Sequence, residues 1–184
     1  MLDWLIHRRL RAFERQYGYD MGYARELLAI TRKGFWHYLR VSGMAQHRQS
    51  VPLAPWFAAK LVAVQTEDCG PCTQLTVNMA RAQGVDDELI RAVLRDDLAA
   101  LDADAALAVR YAQAAVAHAP QLASLRDAVA RRWGERGLAS LALAITATRM
   151  FPMLKYALGH GQSCQRVQVG DETVAAQPRS AHAA

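Results

Sequence analysis

Apolar residues recur at three- and four-residue spacing along nearly the whole chain, the repeat that places them on one face of a helix. Leu2, Leu5, Ile6, Leu10, Phe13 and Tyr17 form the first such stripe, with Arg8, Arg11 and Arg15 on other faces, and Gly18 closes it. A second helical pattern runs over residues 21–41 and ends at Ser42 and Gly43. Residues 45–55 are polar, then punctuated by prolines, and read as a connection. Residues 56–66 are strongly apolar. The spacing predicts a helix over 72–83, capped by Gly84. Asp86, Asp87 and Glu88 open the next one, where acids in a first turn meet the positive end of the helix dipole. Leu89, Ile90, Val93 and Leu94 supply its buried stripe. Residues 102–118 and 121–133 form an Ala-rich helical pair divided at Pro120. Residues 137–150 predict another helix, and Pro152 is expected to start or kink a short one ending at Gly159. No long alternating strand pattern and no solenoid repeat occurs. The pattern therefore predicts an all-α fold. Residues 1–50 form a helical N-terminal extension, 51–168 the core domain, and 169–184 a small, polar tail expected to be disordered.

The bulk numbers agree with a globular domain. The chain has 184 residues, 52% hydrophobic and 21% charged, enough for one real core. No run of about 18 uninterrupted apolar residues occurs, so no membrane span is expected. Residues 1–13 mix Asp3, His7 and three arginines into their apolar positions, unlike a secretory signal, and a cytoplasmic location is the default expectation. The net charge of +5 is confined to residues 1–50, which hold nine Lys/Arg against four Asp/Glu. That excess reads as a solvated helix face, with an acidic partner or a membrane surface as alternatives. No nucleic-acid motif is present, and the aromatics do not interleave with the basic residues, so no nucleic-acid partner is expected.

Three cysteines change the picture: Cys69, Cys72 and Cys164. An odd, small number does not make a secreted disulfide framework. In a reducing compartment Cys69-Gly70-Pro71-Cys72 reads as catalytic, redox-sensing or metal-binding. A thiolate is stabilised near a helix N-terminus, and Pro71 suits a first helical turn. The thiolate attacks a peroxide or a disulfide, and the second cysteine resolves the product. The motif alone resembles that of thioredoxin. However, the preceding run has only Val62 and Val64 as β-branched residues, and Asp68 stands where thioredoxin carries its tryptophan. Pro120 and Pro152 sit in Ala-rich helical sequence rather than on a strand.

The stretch Leu61-Val62-Ala63-Val64-Gln65-Thr66-Glu67-Asp68-Cys69-Gly70-Pro71-Cys72-Thr73-Gln74-Leu75 resembles the core of the AhpD-like, carboxymuconolactone decarboxylase family. So does the continuation over residues 80–90. The resemblance covers roughly residues 53–165 and leaves 1–50 outside. It implies an all-α fold, a tendency to form homo-oligomers, and alkylhydroperoxidase or dithiol–disulfide activity, with a peroxide or disulfide substrate and a thiol reductant. It also implies that Cys72 is the attacking thiol and Cys69 the resolving one. The family's relay histidine falls on Thr76 and its relay glutamate on Phe57, so the proton relay is not carried over.

The candidate catalytic residues are therefore Cys72, Cys69, Glu67 and Thr76. Glu67 is a possible proton carrier or a solvated carboxylate at a helix end. Thr76, one turn beyond Cys72, is positioned to hydrogen-bond its sulfur. Asp68 is expected to cap the helix that carries Cys72. Lys155 and Tyr156 either line the site or, for the lysine, snorkel to the surface. Cys164 reads as a packed thiol or a third redox thiol. With His160 and the dithiol it has the ligand types of a zinc site, but the Gly-Pro spacing favours redox use. No metal and no cofactor are expected. The expected function is a dithiol–disulfide oxidoreductase, with a non-catalytic redox-sensing or structural oligomer as the alternative. The extension is expected to pack on a neighbouring subunit or to cover the core.

Overall fold

The computed structural model describes residues 2–162 and 166–176. Eight α-helices occupy most of them: α1 Leu2–Tyr17, α2 Gly22–Ile30, α3 Arg32–Gln46, α4 Leu53–Gln65, α5 Gly70–Ala82, α6 Asp87–Leu94, α7 Ala103–Ala117 and α8 Leu122–Ala157. The mostly helical architecture is the one the periodicity predicts.

Helix α4 is the centre. Its residues from Trp56 to Val64 are almost wholly buried, as expected of a helix that is apolar on every side. It packs on α5, α6, α7 and α8. Leu61, Val62, Val77, Ile90, Val93, Val109 and Leu141 meet around it in one core. A second core joins the N-terminal helices to this body. Ile6, Leu10, Tyr19, Tyr23, Phe35 and Tyr38 bury themselves with Leu75 of α5 and Phe151, Leu154 and Leu158 from the end of α8. The extension thus covers the core of its own chain.

The pattern over 21–41 predicts one helix, and the structure divides it. Thr31 is extended (φ −150°) and its Oγ1 accepts from Gly34 N at 3.2 Å, so a threonine cap starts α3 afresh. Asp86 and Asp102 cap α6 and α7 in the same way. The helices predicted over 121–133 and 137–150 are nearly continuous in α8, broken only at Gly134, and α8 runs on through Pro152 to Ala157. By length and composition α8 could cross a membrane, the only such helix among the described residues. In this fold it is a core helix: Val129, Leu141, Ala144 and Ala147 are buried, and it packs on α3, α4 and α7.

The tail expected to be disordered over 169–184 is ordered as far as residue 176, and 177–184 lie outside the described residues. Residues 166–175 form a hairpin, β1 Arg166–Val169 paired antiparallel with β2 Glu172–Ala175. Each strand has only four residues, and only β1 alternates, too short to register as a strand pattern. Val167, Val169 and Val174 nevertheless point into the core, Gly170 supplies the positive φ (61°) of the turn, and Glu172 pairs with Arg91 of α6 and with Arg95 just after it.

Gly134 has φ 72° and ψ 176°, a region that only glycine occupies readily. An added Cβ there would meet nothing within 4 Å. Gly134→Ala is therefore expected to destabilise through the backbone alone, by about 1–3 kcal/mol, read as a lowered urea midpoint with unchanged thiol reactivity.

Candidate functional site

The turn from α4 to α5 places the dithiol. Thr66 Oγ1 donates to Ala63 O at 2.7 Å and closes α4. Asp68 then adopts a left-handed backbone (φ 45°), which aspartate tolerates better than most residues. Cys69, not Asp68, occupies the N-cap position of α5, and no side chain caps it. The capping role expected of Asp68 is thus corrected: its left-handed backbone places it one residue before the cap. Pro71 lies in the first turn, where its missing N–H leaves no intrahelical bond unmade. The turn is held from outside by Tyr156, whose hydroxyl donates to Asp68 O at 2.7 Å. Gly70 N also donates to Gln162 O at 3.3 Å.

Cys69 and Cys72 form a disulfide with their Cα atoms 5.3 Å apart, within the ordinary range for such a bond. The pair is therefore capable of dithiol–disulfide redox chemistry. Both cysteines are buried, at 1% and 4% exposure, so solvent does not reach them freely. Cys72 opens instead on a cavity of about 100 Å3 bounded by the extension on one side and by α4, α5 and α8 on the other. Cys69 is not among its lining residues.

The proposed partners of the dithiol divide. Thr76 is beside Cys72 and lines the cavity, but its hydroxyl donates to the Cys72 carbonyl at 3.0 Å rather than to the sulfur. The helical preference of a threonine hydroxyl for the carbonyl four residues back explains that correction. Glu67 is paired with Arg149 at 2.5 Å, with 13% of its side chain exposed. It is neither solvated nor among the residues that line the cavity. Phe57, where the resemblance would place a relay glutamate, is fully buried in the core. Lys155 is buried too, not snorkelling: its ammonium lies 4.8 Å from the Tyr19 ring and 5.6 Å from the Tyr23 ring. Cys164 lies outside the described residues. His160 pairs with Glu26, and no cluster of three or more metal-ligating side chains occurs among the described residues.

Three residues that periodicity did not single out complete the site. Tyr19, from the loop after α1, places its hydroxyl 3.7 Å from Cys72 Sγ. Burial pushes its ionisation well above the usual tyrosine range, so near neutral pH it is a proton donor, not a base. Tyr23 stands edge-to-face against it, and Tyr23 and Tyr38 share a hydroxyl hydrogen bond of 2.8 Å. Lys60 of α4 lines the same cavity at 5% exposure. Its ammonium donates to Ala45 O at 3.0 Å and sits 4.2 Å from the Trp56 ring centroid. Burial pulls its pKa down to about 8. Thr148 of α8, another lining residue, has a buried hydroxyl with no hydrogen-bond partner. A single lysine inside the apolar run over 56–64 was the one available signal. The contacts of Tyr19 and Thr148 depend on packing between distant segments.

No protein-family model, curated protein or solved structure matches the chain. The site's geometry therefore carries the functional reading.

Folding lowers the proton affinity of Lys60 from the ordinary 10.5 to about 8. Between those pH values the unfolded chain holds the extra proton, so rising pH favours the folded state, by about 3 kcal/mol across the whole window. Above pH 10 the raised ionisation of Tyr19, Tyr23 and Tyr38 opposes that trend, because the unfolded chain then loses phenolic protons first. Urea denaturation of the oxidised protein from pH 7 to 10 is expected to show the rise. Lys60→Met should reduce it to what Lys155, whose proton affinity burial also lowers, contributes, and equal pH slopes in the two proteins would contradict the assignment.

Proposed function

We propose that the chain is a dithiol–disulfide oxidoreductase of AhpD-like helical type, with Cys72 as the attacking thiol and Cys69 as the resolving one. The observation that carries this reading is the opening of Cys72, and not Cys69, on a cavity beside the Tyr19 hydroxyl. The resemblance of residues 61–75 and 80–90 to that family supports the same order of attack.

In the reduced protein the Cys72 thiol loses its proton to solvent through the cavity, and the Tyr19 hydroxyl then donates to the thiolate. Hydrogen bonding to the charged form lowers a thiol pKa. The Cys72 thiolate attacks the terminal oxygen of a hydroperoxide, breaking the O–O bond. Cys72 becomes a sulfenic acid, and the alkoxide takes a proton from water to leave as an alcohol. The Cys69 thiol displaces hydroxide from that sulfenic sulfur, its proton completes a water molecule, and the disulfide forms. With a disulfide substrate, attack gives a mixed disulfide and a released thiolate, and Cys69 releases the second thiol. An external thiol or dithiol returns the pair to the reduced state and is itself oxidised. The family relay positions hold Phe57 and Thr76. The extension supplies Tyr19 in place of a relay, a donor that stabilises the thiolate without acting as a base.

The slight exposure of both cysteines favours a second reading, a redox sensor that switches without rapid turnover. Peroxide consumption with a dithiol reductant separates the two, since a rate no better than that of a free thiol favours the sensor. On the enzymatic reading Cys72→Ser abolishes turnover, and Cys69→Ser accumulates a sulfenic or mixed-disulfide state detectable by mass. If Cys69→Ser instead blocks the first attack, the order of the thiols is reversed.

Tyr19→Phe keeps the ring and removes the donor. It is expected to raise the apparent thiol pKa in the pH profile of alkylation by about one unit, the equivalent of one hydrogen bond of about 1.4 kcal/mol. An unchanged profile would remove Tyr19 from the mechanism.

A further inference from the structure

Lys60 is a cation in a place where a cation is costly. Lysine is rarely buried without a counter-charge. None of the chain's seventeen acidic residues lines the cavity, and among the described residues no carboxylate pairs with Lys60. Its partners are one carbonyl, Ala45 O at 3.0 Å, and the faces of Trp56 and Phe57. An ammonium has three N–H groups, so that single hydrogen bond leaves donor capacity unused. Thr148, across the same cavity on α8, buries a hydroxyl without a partner. Buried polar groups are normally satisfied, so a hydroxyl without a partner and an ammonium without a counter-charge in one cavity point to a ligand that serves both. Phe13, Met21, Leu75 and Phe151 make much of the remaining wall apolar, with Ser42, Gln46 and Thr76 as further polar lining residues.

We propose that this cavity binds a small monocarboxylate with an apolar body, its carboxylate held by Lys60 and the Thr148 hydroxyl. A carboxylate supplies the negative charge and the acceptor that the two groups lack, and a charge-assisted bond is among the stronger ones. The volume of about 100 Å3 is below the ~150 Å3 that accommodates benzene, so a short acid fits, or the head of a longer one whose tail reaches the mouth. Because Cys72 lines the same space, the inference deepens the oxidoreductase reading: its substrate is a peroxide or disulfide that bears a carboxylate.

Calorimetric titration of the oxidised protein at pH 7 with hexanoate, and separately with hexanamide, tests the proposal. Hexanoate is expected to bind at least about tenfold more tightly, the scale of one charge-assisted hydrogen bond. Lys60→Met should bring its affinity down to that of hexanamide. Equal affinity of the two probes for the wild-type protein overturns the proposal, as does no binding of hexanoate or unchanged binding by Lys60→Met. The comparison of the two probes on the wild-type chain needs no variant to fold. Binding by the Cys69→Ser/Cys72→Ser double variant should persist, and its loss there would also count against the site. Failure of this inference is distinct from failure of the redox reading. Turnover without hexanoate binding removes the carboxylate site alone. Lys60-dependent hexanoate binding without turnover upholds the site and removes the enzyme.

Discussion

Helix α4 is apolar around its whole circumference, and this constraint organises everything else. Such a helix cannot lie at a surface, so α5, α6, α7 and α8 enclose it. Its burial also fixes the two ends of the site. At its C-terminus the chain has to turn back at once, through the left-handed Asp68, which delivers Cys69 and Cys72 to the start of α5. In its middle it carries Lys60 inward with the apolar residues around it. Cys72 and a buried cation thus come to one cavity, because α4 carries Lys60 and the turn at its end delivers Cys72.

The N-terminal extension is part of that site as much as of the fold. Its tyrosines pack on α5 and the end of α8, and Tyr19 and Tyr23 wall the space around Cys72. Large aromatic rings provide the apolar area for docking, and their hydroxyls remain available as polar groups inside it. Tyr19 uses its hydroxyl on the sulfur, and Tyr23 and Tyr38 use theirs on each other. The low-dielectric surroundings that keep Tyr19 protonated also weaken the proton affinity of Lys60 and Lys155. One physical cause, desolvation, therefore sets the protonation tendencies on both sides of the dithiol.

The elements that were legible in the chain are those with a local cause. Gly18 and Gly84 close helices through positive φ, Asp86 and Asp102 cap them through side-chain oxygens, and heptad-like stripes mark their buried faces. The elements that were not legible depend on distant partners. The hairpin at 166–175 alternates too briefly to be recognised, and exists because Gln168 bonds to Gln74 and Glu172 pairs with α6. Pro152 does not end its helix, since the end of α8 is held by packing of Phe151, Leu154 and Leu158 against the extension. Glu67, the candidate proton carrier, is engaged by Arg149, 82 residues away.

By itself the sequence determined the helical class and the dithiol. Periodicity, caps and a four-residue cysteine motif act within a few turns of chain, where spacing and geometry are the same thing. Tertiary structure decided which sulfur faces the cavity, that Tyr19 rather than Thr76 touches it, and that Lys60 is buried without a counter-charge. Those outcomes depend on how α1 to α3 close over α4 and α5. That closure is a matter of matching surfaces between segments from fifteen to more than fifty residues apart, which no local pattern encodes.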